Sequence, residues 1–186
     1  MIAPADQQQL LAIARGAIEA WLGLAGRPST TGSASLDVHA GAFVTLRAGG
    51  ELRGCIGHLE ADQRVADVVA SCAVSAASSD PRFAPLSPRE LSGVRIEISV
   101  LHGFEAVHAA SDVVIGRHGL LVERGARRGL LLPQVAPEWG WDAQTFVAHT
   151  CQKAGLPADA WPGGGATLYR FEADVFGEPD LMPAHP

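Results

Sequence analysis

Two extended runs that meet at Gly49-Gly50 constrain this chain more than any other feature. Ala42–Ala48 and Glu51–Leu59 each read as a strand, and both residues of a Gly-Gly pair accept the positive φ that a tight hairpin turn needs. The second run carries Leu52-Arg53-Gly54-Cys55-Ile56-Gly57, a cysteine beside glycines and two positions from an arginine. Strand side chains alternate between faces. A regular strand therefore sets Leu52, Gly54 and Ile56 on one face and Arg53, Cys55 and Gly57 on the other. A thiol and a guanidinium would then share a face, next to glycine backbone that a ligand can approach closely.

The rest of the chain reads as helices laid around such hairpins. Leu10, Leu11, Ala14, Ala17, Ile18, Trp21 and Leu22 recur at helical spacing and predict an amphipathic helix over 6–23. Asp62 is the expected cap of a second helix, with Val65, Val68, Val69, Cys72, Ala73 and Ala76 on its apolar stripe. Ser87-Pro88-Arg89-Glu90 resembles a short helix start, and Val94–Leu101 alternates as a strand. A second hairpin is expected at Gly119–Glu123 and Gly129–Leu132. A third long helix follows, capped by Asp142, with Phe146, Val147, Thr150, Cys151 and Ala154 buried. The last strand is Thr167–Phe176. Hairpin, helix and strand thus occur twice, over 42–101 and 118–176, without visible residue-level similarity between the two runs. The order predicts an α+β fold with a largely antiparallel sheet.

Composition excludes several classes. The 186 residues are 47% hydrophobic and 18% charged, a globular balance. With 14 Lys+Arg against 20 Asp+Glu, the net charge of −6 gives no electrostatic reason to expect nucleic acid or an anionic membrane as partner. No apolar run approaches the ~20 residues of a membrane helix. The first residues show no secretory leader, and three cysteines, an odd number, read as reduced thiols in a cytoplasm. Cys-x-x-Cys and zinc-spaced histidines are absent, as are the Gly-x-Ser-x-Gly elbow, the Walker A loop and the dinucleotide fingerprint. No cofactor or metal is therefore expected.

Leu52–Gly57 resembles the hallmark of the AMMECR family. Gly41-Ala42-Phe43-Val44-Thr45-Leu46 precedes it in the family's order, and Asp80-Pro81-Arg82-Phe83 follows it. Ile98–Leu101, Leu131-Leu132-Pro133-Gln134-Val135-Ala136 and Lys153-Ala154-Gly155-Leu156 come next. The resemblance runs from about residue 8 to residue 178. It implies one AMMECR-like domain over 1–186, with helices packed on sheets and two lobes, roughly 1–101 and 102–186, meeting at a cleft. The family's biochemical activity is unsettled. Some prokaryotic relatives resemble one component of the AmmeMemoRadiSam grouping, which implies Memo-like and radical-SAM proteins as partners.

Cys55 is the candidate nucleophile. A thiol is a competent nucleophile even when only a few per cent ionised, and a cation on its face enlarges that fraction. Arg53 is the expected cation. The alternative is a small buried cysteine, with Arg53 paired elsewhere. Cys72 and Cys151 lie on helical stripes and read as core. Asp80 reads as a turn residue that caps backbone or pairs with Arg82, and Arg82 as a guanidinium for a substrate carboxylate or phosphate. Gln134 is placed to hydrogen-bond a ligand beside Trp139 and Trp141, and the commoner alternative is tryptophan packed at an edge. Gly54, Gly57, Asp80, Arg82 and Gln134 thus form the expected ligand-binding set, for a small molecule or a peptide. A Cys55–His58 pair requires a bulge at Gly57, and His149 is expected to be exposed. Two functions follow: a Cys55-centred catalytic or ligand site, or a non-catalytic adaptor that works with the Memo-like and radical-SAM partners.

Overall fold

The computed structural model describes residues 1–179 and is α+β. Four helices are present among these residues: α1 (Pro4–Trp21), α2 (Val65–Ser78), α3 (Val135–Trp139) and α4 (Ala143–Lys153). The six strands are β1 (Ala42–Ala48), β2 (Glu51–His58), β3 (Val94–Ala106), β4 (Gly119–Arg124), β5 (Arg127–Leu131) and β6 (Thr167–Gly177). Their hydrogen-bonded order is β2-β1-β3-β6-β4-β5, with β1–β2, β1–β3, β4–β5 and β4–β6 all antiparallel. The described residues form two compact units, one of residues 1–100 with 174–179, the other of 101–173.

In the first unit, alternation along the strands builds the core. Ala42, Val44 and Leu46 of β1 and Val94, Ile96, Ile98 and Val100 of β3 are buried in one cluster with the apolar stripes of α1 (Leu10, Ile13, Ala14, Ile18) and α2 (Val65, Val68, Val69, Cys72, Ala73, Ala76). The period-2 pattern of the strands and the 3.6 pattern of the helices deliver these residues to one side. In the second unit, Leu120 and Val122 of β4 and Leu168 of β6 pack with Phe146, Val147 and Cys151 of α4.

Each unit repeats one arrangement. The first strand of the hairpin is central, its partner lies on one side, and the strand that follows the helix closes on the other: β2-β1-β3 and β5-β4-β6. In the first unit Leu46 stands opposite Gly54 and Ile96, and in the second Val122 stands opposite Gly129 and Leu168. Arg53-Gly54-Cys55-Ile56 therefore corresponds to Arg128-Gly129-Leu130-Leu131. The glycine has the same cause in both. A Cβ on Gly54 would lie 2.3 Å from the Ala76 carbonyl oxygen of α2, and one on Gly129 would lie 2.4 Å from the Ala154 nitrogen at the end of α4. The motif glycine is thus where a helix end rests on the hairpin backbone.

Several local expectations change. α2 begins at Val65 after Arg64, and Asp62 instead meets the His58 ring at 2.6 Å. β3 runs on to Ala106, beyond Leu101. Ser87–Glu90 forms a turn in which the Ser87 N–H and hydroxyl both donate to Glu90, and a 3-10 turn, Leu91–Gly93, follows. A short helix, α3, not anticipated from the sequence, forms between β5 and α4, closed by Gly140 at φ 66°. Asp142 does cap α4, accepting the Thr145 N–H at 2.8 Å. His149 stacks on Trp141, ring centroids 3.9 Å apart, instead of standing free in solvent.

Gly54→Ala must push the end of α2 off the sheet, so we expect a loss of about 2–3 kcal/mol in chemical denaturation. Gly93→Ala, where a Cβ meets nothing within 4 Å, stays within about 0.5 kcal/mol of the parent.

Candidate functional site around Cys55

The hairpin register decides what Cys55 touches. A two-residue Gly49-Gly50 turn sets Ala48 opposite Glu51, and unbroken pairing would set Thr45 opposite Gly54. The register instead shifts between Leu46 and Arg47, so that Arg47 pairs with Leu52 and Leu46 with Gly54. Arg53 is the extra residue of a β-bulge, and Thr45 falls opposite Cys55. Bulges re-aim side chains, and Arg53 is re-aimed toward the loop after α2. Its Nε and Nη2 both donate to Glu90 at 3.1 Å, and Nη2 also donates to the Ala84 carbonyl at 3.0 Å. Its Nη1 is buried without a partner.

Cys55 is held from outside the hairpin. Its backbone N–H points away from β1 and donates to Asp80 Oδ2 at 2.9 Å. Thr45 and Cys55 therefore form the close, non-hydrogen-bonded kind of cross-strand pair, in which opposite side chains meet. The Thr45 hydroxyl, itself buried, donates to the Cys55 Sγ at 3.4 Å. Asp80 reaches the strand because Gly54 lets the end of α2 lie against β2, and Asp80 follows that end. The spacing between the two motifs thus has one physical explanation.

Asp80 is buried, its side chain only 2% exposed, and its charge is balanced by Arg82. Arg82 Nε donates to Oδ1 at 2.9 Å and Nη2 to Oδ2 at 2.7 Å, while the Arg82 backbone N–H adds a bond to Oδ1 at 3.1 Å. Arg82's hydrogen bonds, and next among the lowering causes the Cys55 N–H, hold the Asp80 carboxyl far below the usual carboxylate range, despite burial. The Arg82 guanidinium is half exposed, and its charge interacts favourably with negative charge on Cys55 as well as on Asp80. Phe83 lies beneath both arginines, its ring centroid 5.8 Å from the Arg53 guanidinium carbon and 5.5 Å from that of Arg82.

Of the residues expected from sequence, Cys55, Asp80 and Arg82 come together directly. Arg53 joins them through Phe83. The space left by Gly54 is taken by α2, and that left by Gly57 by the Phe43 ring, 2.3 Å from a Cβ built there. His58 turns to Asp62 and Glu60. Gln134 precedes α3 as its N-cap residue in the second unit, with its Oε1 buried and unpartnered. Cys72 and Cys151 are core residues, and burial pushes the Cys72 thiol up to about 11 and the Cys151 thiol upward as well. Thr45 and Glu90 were not singled out from sequence. Thr45 is visible there only if the bulge is known, and Glu90 reads as a helix-start residue. Among the described residues no cluster of His, Cys, Asp and Glu could hold a metal ion, and no helix is long and apolar enough to cross a membrane.

An α+β protein with a half-exposed cysteine fixed at the edge of a hairpin is the class that these features define. The chain belongs to the AMMECR1 family, whose model matches residues 11–176. It is similar to a protein of Methanothermobacter thermautotrophicus, 48% identical over 74% of this chain and 75% of the relative. A Thermofilum pendens protein is 44% identical over 91% of this chain and 88% of its own length. The crystal structure of an uncharacterized protein from Pyrococcus horikoshii superposes with a TM-score of 0.89 at 37% identity, covering 95% of this chain and 93% of that one.

Asp80 makes the site pH-dependent with a defined sign. Its carboxyl is lowered in the folded state, so its stabilisation is complete above the unfolded value of ~3.9 and is lost as pH falls toward the folded one. Asp80→Asn should cost about 1–3 kcal/mol between roughly pH 5 and 8. In urea titrations the gap between variant and parent should close below about pH 4.

Proposed function

We propose that the protein works through a ligand-binding or catalytic site centred on Leu52–Gly57, with Cys55 as its nucleophile. The comparison of the two units carries this reading. The fold fills the same cross-strand pair with Leu121 and Leu130 in the second unit, both hydrocarbon, and there the motif glycine alone serves the helix contact. In the first unit that pair is Thr45 and Cys55. Packing does not require a hydroxyl hydrogen-bonded to a thiol, nor a buried aspartate spent on one cysteine's backbone. The half-exposed Arg82 suits a small molecule or peptide that carries a carboxylate or phosphate.

A second reading, binding without chemistry, is favoured by one observation. The only side-chain hydrogen-bond partner of the thiol among the described residues is the Thr45 hydroxyl, and Asp80 is too strongly held as a carboxylate to accept a proton readily. On that reading the site is an adaptor surface, and Memo-like and radical-SAM proteins are the partners to try first.

Alkylation of the native protein by iodoacetamide at pH 7, followed peptide by peptide in a mass spectrometer, tests the proposal. Cys55 should react at least about a hundredfold faster than Cys72 and Cys151, which stay protected until unfolding. Cys55→Ser should keep the parent's melting temperature. A Cys55 as inert as the two helical cysteines would remove the nucleophile from the proposal.

A further inference from the structure

Gly116-Arg117-His118-Gly119 is a second polar assembly, contained in the 101–173 unit and not used by the Cys55 site. His118 is 5% exposed. Its Nδ1 accepts the Val114 N–H at 3.0 Å, so the neutral ring carries its proton on Nε2. Burial first, and then the charges of Arg170 and Arg117, favour this neutral form. Nε2 has no protein partner among the described residues. The ring lines a cavity of about 220 Å³ whose other walls include two arginine–glutamate pairs.

Both pairs leave groups unspent. Arg117 donates from Nε and Nη2 to a single oxygen, Glu172 Oε1, at 3.0 and 2.7 Å, which leaves its Nη1 and Glu172 Oε2 outside the pair. Arg170 donates from Nε and Nη2 to Glu105 Oε2 at 3.2 and 2.6 Å, and its Nη1 is taken by the Asp112 carbonyl at 2.6 Å. Glu105 Oε1 is left outside its pair. The cavity therefore offers two donors, His118 Nε2 and Arg117 Nη1, and two carboxylate acceptors, Glu105 and Glu172. Its fixed charges cancel. A simple anion would meet the glutamates, and a simple cation the arginines.

We propose that this cavity binds a small zwitterion of the α-amino-acid class. The ligand's carboxylate accepts from His118 Nε2–H and Arg117, and its ammonium donates to Glu105 and Glu172. The volume suits a molecule of that size, and Val114 is the one apolar side chain among its walls, which favours a small or polar side chain on the ligand.

The test is titration of the full chain with glycine, L-serine and L-glutamate, read at the imidazole nitrogens by two-dimensional NMR. Acetate and methylammonium serve as half-ligands, and His149 as an internal control. At least one amino acid should shift the His118 signals saturably, with Kd near ~1 mM or tighter, while neither half-ligand does so at the same concentration. Arg117→Gln, at a side chain 64% exposed and hence tolerant of change, should weaken that binding about tenfold or more with the melting temperature kept. No saturable shift at His118 up to about 10 mM of any of the three amino acids, an equal response to acetate, or full binding in Arg117→Gln would overturn the proposal.

Discussion

The hydrogen bond from the Cys55 backbone to Asp80 is the constraint on which the first unit's site depends. An edge strand exposes N–H groups that water normally satisfies. Here one of them is claimed by a carboxylate that is itself buried, and that carboxylate stays charged chiefly because Arg82 grips both of its oxygens. The bond secures the outward direction of the Cys55 amide that the hairpin register sets, and with it the close cross-strand pair that Cys55 makes. The thiol then meets the Thr45 hydroxyl. Three residues distant in sequence are locked into one geometry.

The two units separate what the fold needs from what the site needs. Both require a glycine where a helix end rests on the hairpin, and both precede it with an arginine. Only the first follows it with a cysteine, ties that residue's amide to an acid, and sets a hydroxyl opposite. Where two copies of one arrangement differ at one cross-strand pair, and the difference is polar for apolar with Thr45 and Leu121 both buried and Cys55 and Leu130 both half-buried, packing does not explain the difference. The Leu121–Leu130 pair is the internal control for the Thr45–Cys55 pair.

Much of this was legible in the sequence. The hairpin at Gly49-Gly50, the long helices and the closing strands follow from periodicities of 2 and 3.6 and from glycine turns, which are local signals. The motifs Leu52–Gly57 and Asp80–Phe83 identified the family, now shown over residues 11–176. The missing parts are non-local. The bulge at Arg53 depends on a register set by strand packing, so a regular alternation placed the arginine on the thiol's face, whereas its guanidinium engages Glu90 and Ala84. The purpose of Gly54 required the helix to be in place. The repeat of Arg-Gly at 53–54 and 128–129 is two residues long and becomes visible only when the registers align it. His149 read as exposed because helical spacing takes no account of Trp141, which precedes the cap of α4 and folds back onto the helix.

The most direct measurement is hydrogen exchange at the Cys55 amide, in the parent and in Asp80→Ala, with the Val44 amide of the neighbouring strand as the reference. If the carboxylate holds the strand edge, the variant's Cys55 amide should exchange about tenfold faster or more relative to Val44, the cost of one hydrogen bond to a charged group. Equal protection of Cys55 in both proteins would contradict the account, because the thiol's position would then owe nothing to Asp80.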